Sequence, residues 1–361
     1  MKMNILFIVP YPEEGPSNRL RVSQYLPYLK EAGVKYKLRP FVFKRFYNIL
    51  YSRGNYLKKF IFFIWSFLAR LGDIVRLAKY DVVFIHREAC PLGPPFFEWA
   101  AYRFKKKIIF DFDDAIYLPN RSAYNSFVKW LKNPQKVPYI IRISDRVIAG
   151  NNFLADFVAR YNKNVEVIPT CVDTDTYNNI YAGRASGSLT IGWIGSATTV
   201  EYLNMLKEVF IKLIEKYPHL RLKIIGGEFK IDGLEEVITN KKWSLENEVS
   251  DLRSMDIGVM PMPDNEWTKG KCCFKALLYM SMQIPCVCSS AGLNKEIIKD
   301  GINGFLASSD KEWIDKLSFL IENEQLRKTI GSAGRKTVEE EFSVKANSAG
   351  YLKAIEKAGH G

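Results

Sequence analysis

The 361-residue sequence has few of the residues that build metal sites or disulfide frameworks. It contains three histidines and six cysteines, and no two cysteines are spaced as a CxxC pair. Zinc sites built from cysteine and histidine show characteristic short spacings, and none can be assembled from these residues. We therefore expect the cysteines to be reduced and mostly buried, as is usual in cytosolic proteins.

Long apolar runs are also missing. The most apolar stretch, residues 60–71, is interrupted by Ser66 and Arg70, and it is shorter than the roughly 20 residues that a transmembrane helix needs. The first residues, with the short apolar run Ile5–Val9, predict no secretory signal peptide. A GxGxxG motif after this first strand candidate is absent, which disfavours a dinucleotide-dependent oxidoreductase.

Acidic residues are scarce relative to basic ones. Lys and Arg number 52 against 39 Asp and Glu, a net charge of +13. Residues 35–107 hold sixteen of these cations and four acids, and many aromatic residues lie between them. This interleaving is typical of a membrane-surface patch, although aromatics that fill the core or stack on nucleic acid are alternatives. We expect an anionic membrane surface as a partner, and no nucleic acid.

Short apolar runs alternate with helical patterns along the chain, which predicts parallel βαβ units. The strand candidates are Ile5–Val9, Val82–His86, Lys107–Asp111, Arg146–Ala149, Val165–Ile168, Leu189–Ile194, Leu222–Ile225, Ile257–Met260 and Pro285–Cys288. A small polar segment at residues 183–188 separates two similar halves. We predict an α/β fold of two tandem Rossmann-like, doubly wound domains at residues 1–182 and 183–342, with a helix at 343–361 packing back on the first.

Three segments of the second half have the composition of ligand loops. After the strand at Leu189–Ile194, Gly195 permits close approach of a ligand, and the hydroxyls of Ser196 and Thr198 precede a helical pattern whose N-terminus suits a phosphate. An ordinary βα turn has the same appearance, so this pattern leaves both interpretations open.

The second segment, residues 267–280, reads WTKGKCCFKALLYM. Lys269, Lys271 and Lys275 surround Gly270 where a helix is predicted to begin. Cations at a helix N-terminus oppose its dipole, typically at roughly 0.3–1 kcal/mol each. A bound diphosphate would reverse the sign of that cost. A solvated basic loop is the alternative, for which Trp267 and the adjacent cysteines are unusual.

The third segment places Gly292, Leu293 and Asn294 in a loop before a short helix that contains Glu296. This carboxylate either caps the helix or accepts hydrogen bonds from a sugar hydroxyl. A tight turn at Asn303-Gly304 then leads into a short strand.

These segments, with the runs KALLYMSMQIPCVCSSAG and EIIKDGINGFL, resemble the retaining glycosyltransferases of the GT-B fold, of the group one or family four type. In that fold two Rossmann-like domains face each other across a cleft. The resemblance covers nearly the whole chain, and the first 25 residues and the run DFDD at 111–114 share in it. It implies a donor site made by Gly195, Ser196, Thr198, Lys269, Gly270, Gly292, Leu293, Asn294 and Glu296, and an acceptor side made by Gly15, Ser17, Arg19, Arg21 and Asp114.

The sequence departs from the family at two positions. The family signature has two glutamates eight residues apart, and the matching positions are Gly270 and Leu278. A subset of the family resembles this chain in carrying a GKCxFK loop instead. Fixed cations can stabilise the charge that develops on a leaving diphosphate without a metal. We therefore assign Lys271 and Lys275 as catalytic, together with Asp113 near the acceptor hydroxyl.

The pair Asp111 and Asp113 resembles the metal-binding DxD motif of another glycosyltransferase fold, but it ends a strand of the first domain. We expect neither a metal nor a cofactor other than the nucleotide-sugar donor.

The resemblance implies an enzyme that moves a sugar with retention to a membrane-associated, lipid-linked or glycan acceptor in surface polysaccharide or glycolipid synthesis. It would be cytoplasmic and peripheral on the inner face of the membrane. The alternatives are a nucleotide-sugar epimerase of the same fold and a catalytically degenerate transferase that acts as a binding partner.

Overall fold

The computed structural model describes residues 3–50, 52, 54–118, 133–178 and 188–360. The chain divides into two compact units, one of Met1–Thr170 with Asn347–Gly361 and one of Cys171–Ala346. The predicted boundary at residues 182 and 183 lies outside the described residues. The second unit includes the segment that begins at Cys171 because Val172 donates to the carbonyl of Phe342 at 2.9 Å and accepts from the amide of Val344 at 3.0 Å.

The first unit is built on a six-stranded parallel sheet in the order β2-β1-β3-β4-β5-β6. Its strands are β1 Asn4–Val9, β2 Lys35–Pro40, β3 Val82–His86, β4 Lys107–Phe112, β5 Arg146–Ala149 and β6 Val165–Val167. All five residues of β3 are buried. Such continuous apolar runs are expected where both faces of a parallel sheet are covered.

Helices connect these strands. They are α1 Pro16–Arg21, α2 Leu26–Glu31, α3 Lys44–Leu50, α4 Tyr56–Val75, α5 Phe96–Arg103, α6 Lys136–Ile143 and α7 Asn152–Ala159. A 3-10 turn at Ser23–Tyr25 separates α1 from α2. Leu20, Tyr25 and Leu29 of this segment are buried, and Leu26 is half-buried.

The second unit also contains a six-stranded parallel sheet, in the order β12-β11-β10-β7-β8-β9. Its strands are β7 Leu189–Ile194, β8 Leu220–Ile225, β9 Ile238–Lys241, β10 Ile257–Met260, β11 Cys286–Ser289 and β12 Phe305–Ala307. This order corresponds to the 3-2-1-4-5-6 arrangement of dinucleotide-binding folds. The predicted doubly wound architecture is therefore confirmed in both units.

The helices of the second unit are α8 Lys207–Lys216, α9 Glu248–Arg253, α10 Glu266–Lys269, α11 Phe274–Ser281, α12 Asn294–Ile297, α13 Asp310–Glu322 and α14 Glu324–Thr337. A final helix, α15, spans Val344–His360. The Ser343 hydroxyl accepts from the amide of Ala346 at 3.0 Å, so Ser343 caps this helix. From Asn347 onward α15 belongs to the first unit, where Tyr351 stacks on Tyr25 with ring centroids 4.1 Å apart.

Strands β2 and β9 were not among the predicted strands. Both lie at a sheet edge, and every residue of these two strands is half-buried or exposed. Each carries lysine, which protects an exposed edge from pairing with other chains. A polar edge strand lacks the apolar run by which the buried strands are recognised.

Helix α4 contains the apolar segment at residues 60–71. Phe62 and Phe63 face inward: the Phe62 ring lies 5.0 Å from that of Phe43, and the Phe63 ring lies 5.4 Å from that of Phe41. Both rings are half-buried, and this packing favours the alternative that these two aromatic residues fill the protein interior. Within the described residues, no helix is both long enough and apolar enough to cross a membrane.

All six cysteines are free and buried, in agreement with the expectation of reduced, buried thiols. Cys286 and Cys288 alternate along β11 and therefore point to the same face of the sheet.

Candidate active site

The carboxyl ends of β1, β3 and β4 meet at one edge of the first sheet, and a buried polar cluster lies there. The Ser17 hydroxyl is 2.6 Å from His86 Nε2, and His86 Nδ1 is 2.6 Å from a carboxylate oxygen of Asp111. The guanidinium of Arg21 pairs with the same carboxylate and donates to the carbonyl of Ile168 at 2.8 Å. This Ser17–His86–Asp111–Arg21 cluster joins α1, β3, β4 and the end of the first unit.

Asp111 remains an anion in this cluster. Burial alone would raise the pKa of its carboxyl, but the charge of Arg21 and the hydrogen bond with His86 outweigh burial and lower that pKa. The side chain of Arg21 is only 1% exposed. It is therefore engaged within the cluster in this structure, and its assignment to the acceptor side stays a prediction. Arg21 instead positions the strand ends that carry the loops.

A second cluster is nearer the surface. Arg87, directly after β3, donates to Asp113 at 2.7 Å and to Asp114 at 2.6 Å. Arg87 has a φ of +61°, which is uncommon for a residue with a side chain. Burial opposes ionisation of Asp113, but Arg87, His86 and Arg21 together lower the pKa of its carboxyl. Asp113 is thus a fixed carboxylate that can accept a hydrogen bond from a hydroxyl.

This geometry also separates the two carboxylates of the DxD sequence. Asp111 is directed into the buried cluster with Arg21 and His86, and Asp113 is engaged by Arg87. Each carboxylate is already balanced by an arginine. Across the described residues no three metal-binding side chains come together.

The other predicted acceptor-side residues belong to the loop after β1 and to α1. Gly15 closes a turn in which its amide donates to the carbonyl of Pro12 at 2.9 Å. Arg19 is half-buried on α1. The neighbouring Tyr11 and Tyr47 rings lie 5.7 Å apart.

In the second unit, Gly195 follows β7 at the point where the strand order reverses between β7 and β10. Ligands of open α/β sheets bind at such switch points. A Cβ at Gly195 would lie 2.5 Å from the Trp193 ring and 2.8 Å from Cε of Lys275. The ammonium group of Lys275 lies 5.5 Å from the centroid of the Trp193 ring. The structure thus brings together two segments that the sequence separates by 80 residues, with a lysine directly above a glycine.

The turn after Gly195 differs from the expectation. The carbonyl of Ser196 accepts from the amides of Thr199 and Val200, and a 3-10 turn at Val200–Leu206 precedes α8. The N-terminus of α8 therefore does not open directly on this loop. What the turn presents are the exposed hydroxyls of Ser196 and Thr198, which lie 2.8 Å apart.

The basic loop crosses from α10 to α11. Lys275 lies in the first turn of α11, whose N-cap residue Cys273 has a φ of +53°. Lys271 Nζ lies 4.9 Å from the ring centroid of Trp267, a cation–π contact. Lys269 is exposed and pairs with Glu266 at 2.7 Å.

The third predicted loop contacts the basic loop. Gly292 has a φ of +48°, and a Cβ there would lie 2.8 Å from the carbonyl oxygen of Thr268. Asn294 is fully buried and donates to the carbonyl of Ser289 at 2.9 Å. Leu293 is also buried, whereas Glu296 is exposed. Loops after β7, β10 and β11 therefore meet at one edge of the second sheet.

The two positions that depart from the family signature have ordinary structural roles. Leu278 is 3% exposed and belongs to the core beneath α11. Gly270 ends α10 as its C-cap residue. The side chain at position 278 is surrounded by apolar residues, which suit a leucine. A glutamate at this position would be buried.

Three residues of these clusters had no assigned role in the sequence analysis. His86 ends the apolar strand β3 and Arg87 follows it directly. Polar side chains at the carboxyl end of a buried strand indicate a functional position, so the sequence could have pointed to both. Trp193 lies within an apolar strand, and nothing in its pattern distinguishes it from a core residue.

Comparison with known proteins identifies the family. Residues 30–176 match the model of Glycosyltransferase Family 4, and residues 188–323 match the model of Glycosyl transferases group 1. The chain therefore carries both domains of the group 1, or family 4, glycosyltransferases. A capsular polysaccharide biosynthesis glycosyltransferase, CapM of Staphylococcus aureus, is 24% identical over 181 residues. That match spans about half of each protein, 48% of this chain and 47% of CapM.

Solved structures support the fold of this glycosyltransferase. A glycosyltransferase from Rickettsia africae superposes with a TM-score of 0.70 at 16% identity and covers 99% of this chain and 98% of its own. Anabaena Alr3699/HepE, solved in complex with UDP-glucose, superposes with a TM-score of 0.67 at 14% identity, over 98% of this chain and 100% of its own. The two parallel sheets are those of GT-B glycosyltransferases.

Proposed function

We propose that this glycosyltransferase moves a sugar from a nucleotide-sugar donor, held by the second unit, to a membrane-associated glycan acceptor. One observation carries this proposal. Lys275 lies over Gly195 and Trp193 at the switch point of the second sheet, where a diphosphate could approach the backbone. The HepE complex with UDP-glucose supports a nucleotide sugar as the donor class.

The chemistry follows from charge. Breaking a sugar–phosphate bond leaves negative charge on the departing diphosphate, and cations fixed before the reaction stabilise it. Lys275 and Lys271 are held against indole rings, which restrains both side chains near the loop. Ser196 and Thr198 supply hydroxyl donors to the same ligand. We assign Asp113, oriented by Arg87, to a hydroxyl of the acceptor.

Retention and metal independence are part of the proposal. Retention rests on the resemblance to retaining transferases. Metal independence rests on two lysines that provide the charge a divalent ion would otherwise supply, and on the arginine that balances each carboxylate of the DxD sequence. We further propose that the acceptor is lipid-linked and that the enzyme works at the cytoplasmic face of the membrane in surface polysaccharide or glycolipid synthesis.

An exposed apolar face on α4 supports membrane association. Trp65 is 69% exposed and Phe60 is 62% exposed. Helical spacing places these two residues on one face with Leu57, Ile61, Ile64 and Leu68, all of them exposed. Lys58 and Arg76 add exposed cations near the ends of the helix. An amphipathic helix of this kind lies in the bilayer interface, and its cations attract anionic lipid.

The test is a panel of nucleotide sugars followed by transfer assays. A donor at 100 times its Kd should stabilise the protein by about 2.7 kcal/mol, measured by thermal shift. Transfer to lipid-linked acceptors should survive excess chelator, and the product should keep the anomeric configuration of the donor by NMR. Inversion would contradict retention. Loss of activity that Mn²⁺ restores would contradict metal independence.

Binding without transfer has a different meaning. The absence of both signature glutamates is the observation that favours a catalytically degenerate transferase. A donor that stabilises the protein but is neither transferred nor hydrolysed would support that second candidate.

A further inference from the structure

An open basic concavity of about 400 Å³ lies in the first unit, where α5 ends and β4 begins. The concavity therefore lies at the amino ends of the parallel strands, opposite the carboxyl ends that carry the Ser17–His86–Asp111–Arg21 cluster. Its lining includes Tyr102, Arg103, Lys105, Lys106, Lys107 and Asp145. Four cations therefore share the concavity with one carboxylate.

Two of these cations are used by the fold. Lys107 pairs with Asp145 at 3.2 Å, and the same carboxylate accepts from the amide of Ile108 at 2.8 Å. Lys106 donates to the carbonyl of Tyr80 at 2.8 Å. Both lysines therefore have structural partners that hold the start of β4 in place.

The other two cations face solvent. Arg103 and Lys105 are exposed, and within the described part of the chain neither is engaged by a carboxylate or another side chain. Lys105 has a φ of +52° just after α5, where glycine or asparagine is the usual residue. Cations are favoured at the C-terminus of a helix by its dipole, which accounts for Arg103 in the last turn. The dipole does not account for a concavity lined by four cations.

The approach to the concavity is aromatic. Phe96, Trp99 and Tyr102 recur at three-residue intervals along α5 and are all exposed, Tyr102 by 52%, and Phe104 just beyond is 60% exposed. Phe96 stacks against Trp99, with ring centroids 6.0 Å apart. Helix α5 packs against α4, where Phe97 meets Phe67 at 5.5 Å. Exposed aromatic rings beside cations are typical of membrane–water interfaces.

We propose that this concavity binds the phosphate of an anionic phospholipid headgroup, through Arg103 and Lys105, while the aromatic face of α5 enters the bilayer interface. The proposal rests on the membrane association proposed above and adds a specific headgroup site to it. Aromatic residues beside the cations favour a lipid phosphate over a free anion, which would need no apolar surroundings. The site anchors the first unit at a point remote from its acceptor loops.

The test compares two double variants that remove the same charge. R103Q with K105N removes the two exposed cations of the concavity, and asparagine tolerates the left-handed backbone at position 105. K212Q with K311Q removes two exposed cations of the second unit and serves as the matched control. Each protein is sedimented with phosphatidylcholine vesicles that contain or lack phosphatidylglycerol. At about 1 kcal/mol for each cation, R103Q with K105N should weaken the partition coefficient about 30-fold on the anionic vesicles alone.

The control should bind anionic vesicles nearly as tightly as the native protein. Equal weakening in both variants would overturn the site, because total charge alone would then explain the binding. Retained binding by R103Q with K105N would also overturn it, as would native protein that ignores anionic vesicles. Inorganic phosphate that displaces the protein at constant ionic strength would identify a soluble anion instead. Sedimentation requires no turnover. If the native protein had no transferase activity but still bound anionic vesicles about 30-fold more tightly than R103Q with K105N, only the proposed transfer reaction would be contradicted.

Discussion

The two units differ in how the charged side chains at the carboxyl ends of their strands are partnered. In the first unit the three carboxylates at the carboxyl end of β4 that form the clusters meet arginines, Arg21 on Asp111 and Arg87 on Asp113 and Asp114. In the second unit, Lys271 and Lys275 lie over indole rings. The first arrangement fixes a polar scaffold whose charges are internally balanced. The second keeps positive charge near a glycine loop, as a diphosphate site requires.

The difference indicates where each kind of substitution should act. Removing a charge from a buried balanced pair leaves its partner uncompensated and should reduce stability. Removing a lysine from a loop near the surface should change ligand binding and rate instead. Stability effects should therefore concentrate in the first unit and rate effects in the second.

The largest expected effect is on folding. Asp111→Asn keeps the shape of the side chain but leaves Arg21 buried without its counter-charge, and it weakens the hydrogen bond with His86. Unfolding should be easier by about 3–5 kcal/mol. Denaturant titration, followed by hydrogen exchange of β3 and β4, measures the loss and locates it.

Asp156→Asn is the matched control, because it makes the same chemical change at an exposed position of α7 in the same unit. It should shift stability by no more than about 0.5 kcal/mol. If Asp111→Asn were as mild as this control, the Ser17–His86–Asp111–Arg21 cluster would not hold the first unit together.

The second prediction concerns rate. Lys275→Ala and Lys271→Ala should each lower kcat about 100-fold, because each removes charge that stabilises the leaving diphosphate. Lys269→Ala should have a small effect, since Lys269 is exposed and already pairs with Glu266. Steady-state kinetics with the donor found in the nucleotide-sugar panel measures all three. Near-native turnover in both Lys275→Ala and Lys271→Ala would sink this assignment.

Most of the fold could be predicted from the sequence because parallel strands buried on both faces are continuous apolar runs. Val82–His86, Arg146–Ala149 and Ile257–Met260 were predicted with the bounds that the structure has. The edge strands β2 and β9 were missed because their exposed residues are polar. The sequence left open which aromatic residues of α4 pack inward, because the partners of Phe62 and Phe63 are Phe43 and Phe41 of an earlier segment.

The candidate site was predictable only in part. Composition located the basic loop at Lys269–Lys275 and the glycine at Gly195, but not the contact between Lys275 and Trp193, which depends on how α11 packs against β7. Likewise, the resemblance implied that Arg21 belongs to the acceptor side. Its partner Asp111 lies 90 residues away, and only tertiary structure reveals that it is buried.

The third prediction contrasts two faces of one helix. Phe60→Ser with Trp65→Ser changes two residues of α4 that are exposed in the free protein. The vesicle partition coefficient should fall about 30-fold, because the variant loses part of the apolar area that these two side chains bury in the bilayer interface. Phe62→Ser with Phe63→Ser should instead destabilise the first unit. Flotation and circular dichroism distinguish the two outcomes. Donor binding by the second unit should survive the first change, and vesicle binding unaffected by it would exclude α4 from the interface.

The smallest expected effect is the response to acid, and it should also separate the units. The pKa values of Asp111 and Asp113 are lowered in the folded protein, chiefly by Arg21 and His86 for Asp111 and by Arg87 for Asp113, against the effect of burial. A carboxyl with a lowered folded pKa stabilises the protein fully above its unfolded pKa, whose ordinary value is 3.8. That stabilisation is lost as the pH falls through the lower folded pKa.

Below pH 3.8, the ordinary value for these carboxyls, each of them should therefore reduce stability by at most about 1.4 kcal/mol per pH unit. Both belong to the first unit, so β3 and β4 should lose hydrogen-exchange protection before β7 and β8 as the pH is lowered. Asp156→Asn should leave that order unchanged, because its carboxyl is exposed. If β7 and β8 lost hydrogen-exchange protection first, Asp111 and Asp113 would not determine the pH at which the first unit unfolds.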